Sequence, residues 1–366
     1  MILILFMISS FLLLFEKNSI QKKFFFGFIL LLYLVILTYR NVELVPDTKT
    51  YFYIYENSLL TRAQRIEDPG LRGIESGYIY FLRIFKNLKF EYTSFLFFNS
   101  LLMLIIWLKM TKKIIKNVEL AFFIFLPFYS LFYFTITIRS GLANLLAYCG
   151  VVYYIKKKNI VLYYIIIAIS AQFHTSMVVY FLLPPMFKIF KNINKKYLYL
   201  FILGCFMLSF FKLGIVINNV LLEMVKCTIG PYYPKINRYI VAYAQNTISE
   251  WGISIRLLKN LIIGVYFIAL KNRLKSENTQ IYNYFLIIFL IGIFFNSFFS
   301  FIKFNSSRIG DILIFYEFIL FTMLYEDTES VKERRIELLV ILLNSIVMLL
   351  FLINWIPIFS KIFIKI

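Results

Sequence analysis

Long apolar runs separated by short basic clusters repeat along the whole chain. A helix needs roughly 17–25 apolar residues to cross about 30 Å of hydrocarbon, and cutting at the charged clusters gives about twelve segments of that order. They fall near residues 1–15, 24–39, 92–108, 119–137, 140–155, 159–173, 175–187, 197–211, 257–270, 281–301, 309–325 and 336–355. The pattern predicts an all-α polytopic membrane protein, a single integral membrane domain over 1–366. The first run has no basic residues before Ile2 and no small-residue cleavage site after Phe15, so it is expected to be retained.

Composition strengthens this picture. Hydrophobic residues make up 61% of the 366 and aromatic residues 20%. Soluble domains are about 45–50% apolar, so a soluble enzyme, a disordered chain and a single-pass receptor are excluded. A net charge of +20 often signals nucleic acid, but here the cations sit in short loops between apolar runs, as cytoplasmic loops do. Loops after the odd-numbered segments hold 20 Lys and Arg, whereas the short connections opposite hold only Arg139, Lys303 and Arg308. The positive-inside rule therefore places both termini outside the cytoplasm, together with two long loops, 40–91 and 212–256. Loops of that length are usually functional. Cys149, Cys205 and Cys227 imply no disulfide framework, and there is no internal repeat or second soluble domain.

No phosphate loop, dinucleotide fingerprint, zinc motif or nucleophile elbow occurs, so the candidate chemistry lies in sparse charges. Arg139 is the only charged residue between Glu119 and Lys156, at a tight outer hairpin in Ile138-Arg139-Ser140-Gly141. It either anchors to lipid headgroups or binds a substrate phosphate. His174 is the only histidine, and the 29 residues from Asn159 to Phe187 are too few for two full crossings, so its apex is expected to be recessed. A recessed imidazole could accept a proton, or it could simply hydrogen-bond between helices. Pro46-Asp47 reads as a helix start with an acid in its first turn. Asp47, Tyr51 and Tyr55 then share one face, suited to sugar hydroxyls and rings or to core packing. Glu75-Ser76-Gly77-Tyr78 supplies another carboxylate, or a helix start. Arg308 and Asp311 are spaced for an ion pair, and Glu317 falls near mid-bilayer, either as a functional group or protonated against a tyrosine. Arg238, Tyr239, Tyr243 and Arg256 mark the second long loop as an amphipathic segment on the outer face.

These residues, in this order from about 40 to 325, resemble the EpsG and Wzy-type polysaccharide (O-antigen) polymerases. The resemblance implies a GT-C-like glycosyltransferase in the bacterial inner membrane, with its active site facing the periplasm or cell exterior. It would move a growing glycan from one undecaprenyl-diphosphate carrier to a carrier-linked repeat unit, in lipopolysaccharide or exopolysaccharide synthesis. No metal or nucleotide cofactor is implied. The expected partners are the two lipid-linked glycans, membrane lipid and a chain-length regulator protein, with no nucleic acid.

A metal-free site that expels a diphosphate needs guanidinium donors, for which Arg139 and Arg308 are the candidates. His174, Asp47 or Glu75 would take the acceptor's proton, and Tyr51, Tyr55, Tyr78, Tyr243 and Arg256 would contact substrate. Two alternatives remain at this point: a lipid-linked oligosaccharide flippase or secondary transporter built around Glu317, and an O-antigen ligase.

Overall fold

A computed structural model describes residues 2–10, 20–40, 47–68, 70–71, 73–190, 193–214, 217, 253–300 and 303–355. The described residues are helical throughout, without a strand. Among the described residues, four helices are long and apolar enough to cross a membrane: Ile20–Thr38, Tyr92–Lys112, Ser276–Phe298 and Val331–Leu352. The apolar stretches Val118–Ser130, Ile160–Phe173 and Thr175–Phe190 are shorter. The chain divides into two compact units, residues 1–181 with 328–366, and residues 182–327.

The first unit contains α1 (Ile2–Ser10), α2 (Ile20–Thr38), α3 (Thr48–Glu56), α4 (Arg62–Glu67), α5 (Ser76–Asn87), α6 (Tyr92–Lys112), α7 (Val118–Phe125), α8 (Ile138–Lys157) and α9 (Ile160–Phe173). Polar residues in the basic loops start these helices. Asn117 and Asn159 each accept a backbone N–H two positions into the next helix, from Leu120 and Leu162.

α7 continues through two wide π turns, Leu126–Ser130 and Phe132–Ile136. Almost every side chain from Val118 to Ile136 is buried, as expected of a helix that is hydrophobic on all sides. Trp107 stacks on Phe125 at 4.9 Å, and Phe122 meets Tyr33 edge-on at 5.7 Å, so α2 and α6 close around this central helix.

The first long loop is folded. α3, α5 and the start of α6 build an aromatic cap in which Tyr51, Tyr55, Tyr78, Tyr92 and Phe95 form one buried cluster with Ile138. Arg83 fastens the connection by donating to the Ser58 and Leu60 carbonyls at 2.8 and 2.6 Å.

The second unit contains α10 (Leu183–Phe190), α11 (Lys195–Phe210), α12 (Ile255–Leu270), α13 (Ser276–Phe298), α14 (Lys303–Ile314) and α15 (Glu317–Asp327). α16 (Val331–Trp355) returns to the first unit and packs on the first π turn. α13 and α14 cross closely, because a side chain at Gly292 would meet the Gly310 carbonyl oxygen at 2.9 Å. Asp327 gathers the opposite end, accepting from Lys275 N–H at 3.0 Å and Asn278 at 2.8 Å.

Three expectations change. The run 309–325 is two helices broken at Phe315 and Tyr316 rather than one span. The run 175–187 starts as a tight 3-10 helix, Thr175–Leu182, which stretches about 2.0 Å per residue instead of 1.5. Asp47 precedes α3 rather than entering its first turn, and it adopts a left-handed φ of 61° with no side-chain cap bond. The second long loop, apart from its two ends, lies outside the described residues.

Gly141 allows the start of α8 to press on the Tyr133 carbonyl, which a Cβ would overlap, whereas a Cβ at Gly27 of α2 meets nothing within 4 Å. Gly141→Ala is expected to lower stability by about 1–3 kcal/mol, as overpacking against fixed backbone does. Gly27→Ala is expected to be neutral or to raise stability by up to about 1 kcal/mol through helix propensity. Thermal unfolding of the two purified variants in one detergent checks the opposite signs.

Candidate functional site

Three helix starts of the first unit converge on one carboxylate. Glu75 precedes α5 in extended backbone and makes no cap bond to its own helix, which frees its side chain to reach elsewhere. One oxygen accepts from Arg139 Nη1 at 2.7 Å, with 18% of the Arg139 side chain and 11% of the Glu75 side chain exposed. The other oxygen accepts from the Thr175 backbone N–H at 3.0 Å and the Thr175 hydroxyl at 3.2 Å. Glu75 therefore caps the 3-10 helix and orients a guanidinium on α8. Gly77 makes this possible, since a Cβ there would sit 2.7 Å from the Gln172 carbonyl at the end of α9.

Arg139 is the second residue of α8, at the positive end of a 20-residue helix. The hydroxyl of Thr137, the residue before α8, turns back to the Phe132 carbonyl at 3.3 Å and makes no cap bond. Arg139 Nε is buried with no hydrogen-bond partner. One guanidinium edge is thus held by Glu75 while donor capacity remains, next to a helix N-terminus.

His174 ends α9 in extended backbone and is half-buried. Its Nδ1 accepts the Ser176 N–H at 3.3 Å, which places the proton of a neutral ring on Nε2. His174 immediately precedes Thr175, whose N–H and hydroxyl bond Glu75.

The tyrosines divide by geometry. Tyr55 serves the fold: it is fully buried, donates to the Phe90 carbonyl at 2.6 Å and stacks on Phe95 at 5.1 Å. Tyr78 is also buried, but its hydroxyl has no partner, and it meets Tyr51 edge-on at 6.3 Å. Burial pushes the Tyr78 phenol well above its ordinary range, so it stays a neutral donor, although both Arg139 and Arg40 act on it electrostatically. Asp47 lies exposed at the start of α3, one turn before Tyr51.

Arg40 escaped sequence reasoning. It lies two residues beyond the end of α2, is 9% exposed, and donates to the Phe134 carbonyl at 2.7 Å. Tyr51, Tyr78 and Tyr92 all act on it. The available signal was a single cation closing an apolar run, which also describes an ordinary span end.

In the second unit, Arg256 pairs with Asp311 at 2.8 Å, while the pairing of Asp311 with Arg308 that the spacing suggested falls outside the described side chains. Glu317, fully buried, pairs with Lys259 at 2.9 Å. The backbone of Arg308 lies in α14, and its side chain and the whole of Tyr243 lie outside the described part.

No curated protein and no solved structure matches the chain. A family model described as EpsG family matches residues 23–363, a range that takes in every described helix except α1 and the beginning of α2. On that match the chain belongs to the EpsG family.

Proposed function

We propose that the protein is a polysaccharide polymerase that transfers a glycan from undecaprenyl-diphosphate to a sugar hydroxyl of a second lipid-linked unit. Family membership supports the class of activity. The observation that carries the chemistry is the Glu75–Arg139 pair at the start of α8, an anion-attracting position that keeps a buried guanidinium nitrogen unsatisfied.

In this reading the acceptor hydroxyl oxygen attacks the anomeric carbon as the bond to the diphosphate oxygen breaks. The leaving diphosphate gains negative charge, and Arg139 with the α8 N-terminus receives it; such preorganised donors lower barriers most where charge develops. Both Glu75 oxygens are occupied, which casts Glu75 as the residue that aims Arg139. The acceptor proton goes to His174 through Nδ1 once the long contact to Ser176 opens, or to the exposed Asp47. Tyr51 and Tyr78 offer a ring face and a hydroxyl for sugar.

The transporter alternative gains one observation, the helix broken just before Glu317, since broken helices line transport sites. Lys259 offsets the charge of Glu317, which suits a structural pair as well as a coupling site.

Arg139→Ala is expected to reduce turnover about 100- to 1000-fold, as loss of one preorganised donor does. Glu75→Gln keeps a hydrogen bond to Arg139 and is expected to lose less. Polymer ladders from membranes with defined lipid-linked repeat units measure both, and wild-type ladders from Arg139→Ala would remove the assignment. For His174, Gln substitution is expected to slow chain growth about 100-fold and flatten its pH profile between pH 5 and 8. An unchanged profile transfers the proton to Asp47. Glu317→Gln is expected to leave polymerisation within a few-fold of wild type in a folded protein; abolition by this change alone, with Arg139→Ala active, would put transport first.

A further inference from the structure

Arg40 has no role in that scheme, yet it holds the corner from which Arg139 is presented. The helix that begins as α7 widens into its second π turn, Phe132–Ile136, and stops at Thr137, whose φ of −112° and ψ of 55° leave helical backbone. No helical hydrogen bond spans Thr137. Its own N–H reaches back to the Phe132 carbonyl at 2.9 Å, and α8 opens with a bond from the Gly141 N–H to the Thr137 carbonyl at 2.8 Å.

Had the helix run on, the Phe134 carbonyl would have taken the N–H of Ile138 in an α turn or of Arg139 in a π turn. It accepts from Arg40 Nη1 at 2.7 Å instead, a donor 94 residues earlier in the chain. Phe134 is fully buried, and an unmet carbonyl in such a place is costly. A cation also suits the position, because the last carbonyls of a helix carry partial negative charge.

The consequence falls on α8. The N–H groups of Ile138, Arg139 and Ser140 have no carbonyl one turn back, which gives this helix start its attraction for anions. The corner is also tight, since Gly141 presses on the carbonyl of Tyr133, the residue before Phe134. Without a donor from Arg40, the nearest partners for the Phe134 carbonyl are the N–H groups of Ile138 and Arg139. Capturing either one would close the break, turn the start of α8 toward the axis of α7 and draw Arg139 off Glu75.

We propose that Arg40 is a positioning residue: by occupying the Phe134 carbonyl it keeps the break at Thr137 open, so that the α8 N-terminus stays uncommitted and Arg139 stays aimed. This rests on the polymerase reading above and adds a residue that acts through Arg139 without touching substrate.

Full-length wild type, Arg40→Met and Arg40→Lys in nanodiscs are compared by hydrogen exchange and by polymer assay with defined lipid-linked repeat units. In Arg40→Met the Ile138 and Arg139 amides are expected to exchange about 10-fold more slowly, as gain of one hydrogen bond implies. Mere loosening of the corner would speed exchange there, so the sign separates positioning from general support. Turnover is expected to fall about 10- to 100-fold with KM within a few-fold of wild type, as when a catalytic group is displaced by about an ångström. Arg40→Lys keeps one charged donor for the carbonyl and is expected to restore wild-type exchange and most of the turnover. Arg40→Gln, shorter and uncharged, carries the same test should Arg40→Met fail to fold. Unchanged or faster exchange at Ile138 and Arg139, or a raised KM with unchanged kcat, would overturn the proposal. The exchange measurement needs no activity, which separates the two readings. Wild-type exchange in Arg40→Met, with chain growth that depends on Arg139, removes the positioning role alone. Slowed exchange in Arg40→Met, with no polymer from the wild type, removes the polymerase alone.

Discussion

The first unit depends on a carboxylate shared among three helix starts. Glu75 leaves its own helix uncapped, neutralises Arg139 and caps the 3-10 helix through Thr175. In an apolar surround a buried charge persists only when paired and hydrogen-bonded, and Glu75 meets both conditions through partners 64 and 100 residues away in sequence. The close approach of α5 to α9 at Gly77, and of α8 to the second π turn at Gly141, follows from drawing these ends together.

Charge is treated differently in the two units. In the second, cations and acids are paired as Arg256–Asp311 and Lys259–Glu317. In the first, Arg139 and Arg40 both act on Tyr78, and among the described residues Glu75 is the acid that engages Arg139. A matched network stabilises a fold without a ligand. A cationic excess in a poorly hydrated site becomes favourable when an anion arrives, and this difference favours placing phosphate chemistry in the first unit.

Much of the helix pattern was legible because hydrophobic periodicity and basic clusters report membrane solvation directly. Expected and observed limits differ by only a few residues for 119–137, 140–155 and 159–173. Pieces of the site were legible too: Ile138-Arg139-Ser140-Gly141, Glu75 and Phe173-His174-Thr175-Ser176 stand together as polar interruptions of apolar sequence. Their partnership was not legible. Nothing local says that Glu75 would bond Arg139 rather than cap its own helix, or that Asp311 would pair with Arg256 from another helix. Such choices are decided by tertiary packing. The break before Glu317 was hidden for a related reason, since Phe315 and Tyr316 carry no helix-breaking signature and the buried Lys259–Glu317 pair joins residues 58 apart in sequence.

The same geometry decides whether Glu75 competes with a substrate phosphate or prepares for it. If the carboxylate occupied every donor of Arg139, an anion could bind only by breaking the pair, at the cost of leaving a buried acid unsatisfied. Instead Glu75 engages Nη1 alone, Nε is buried without a partner, and the second carboxylate oxygen is held by Thr175. A guanidinium offers five donors in a rigid plane, so fixing one edge sets the direction of the others. An incoming phosphate adds to this arrangement without dismantling it, and the guanidinium need not reorient as charge develops. Lysine could not substitute at this position, because a point charge held by Glu75 would have no second edge to present.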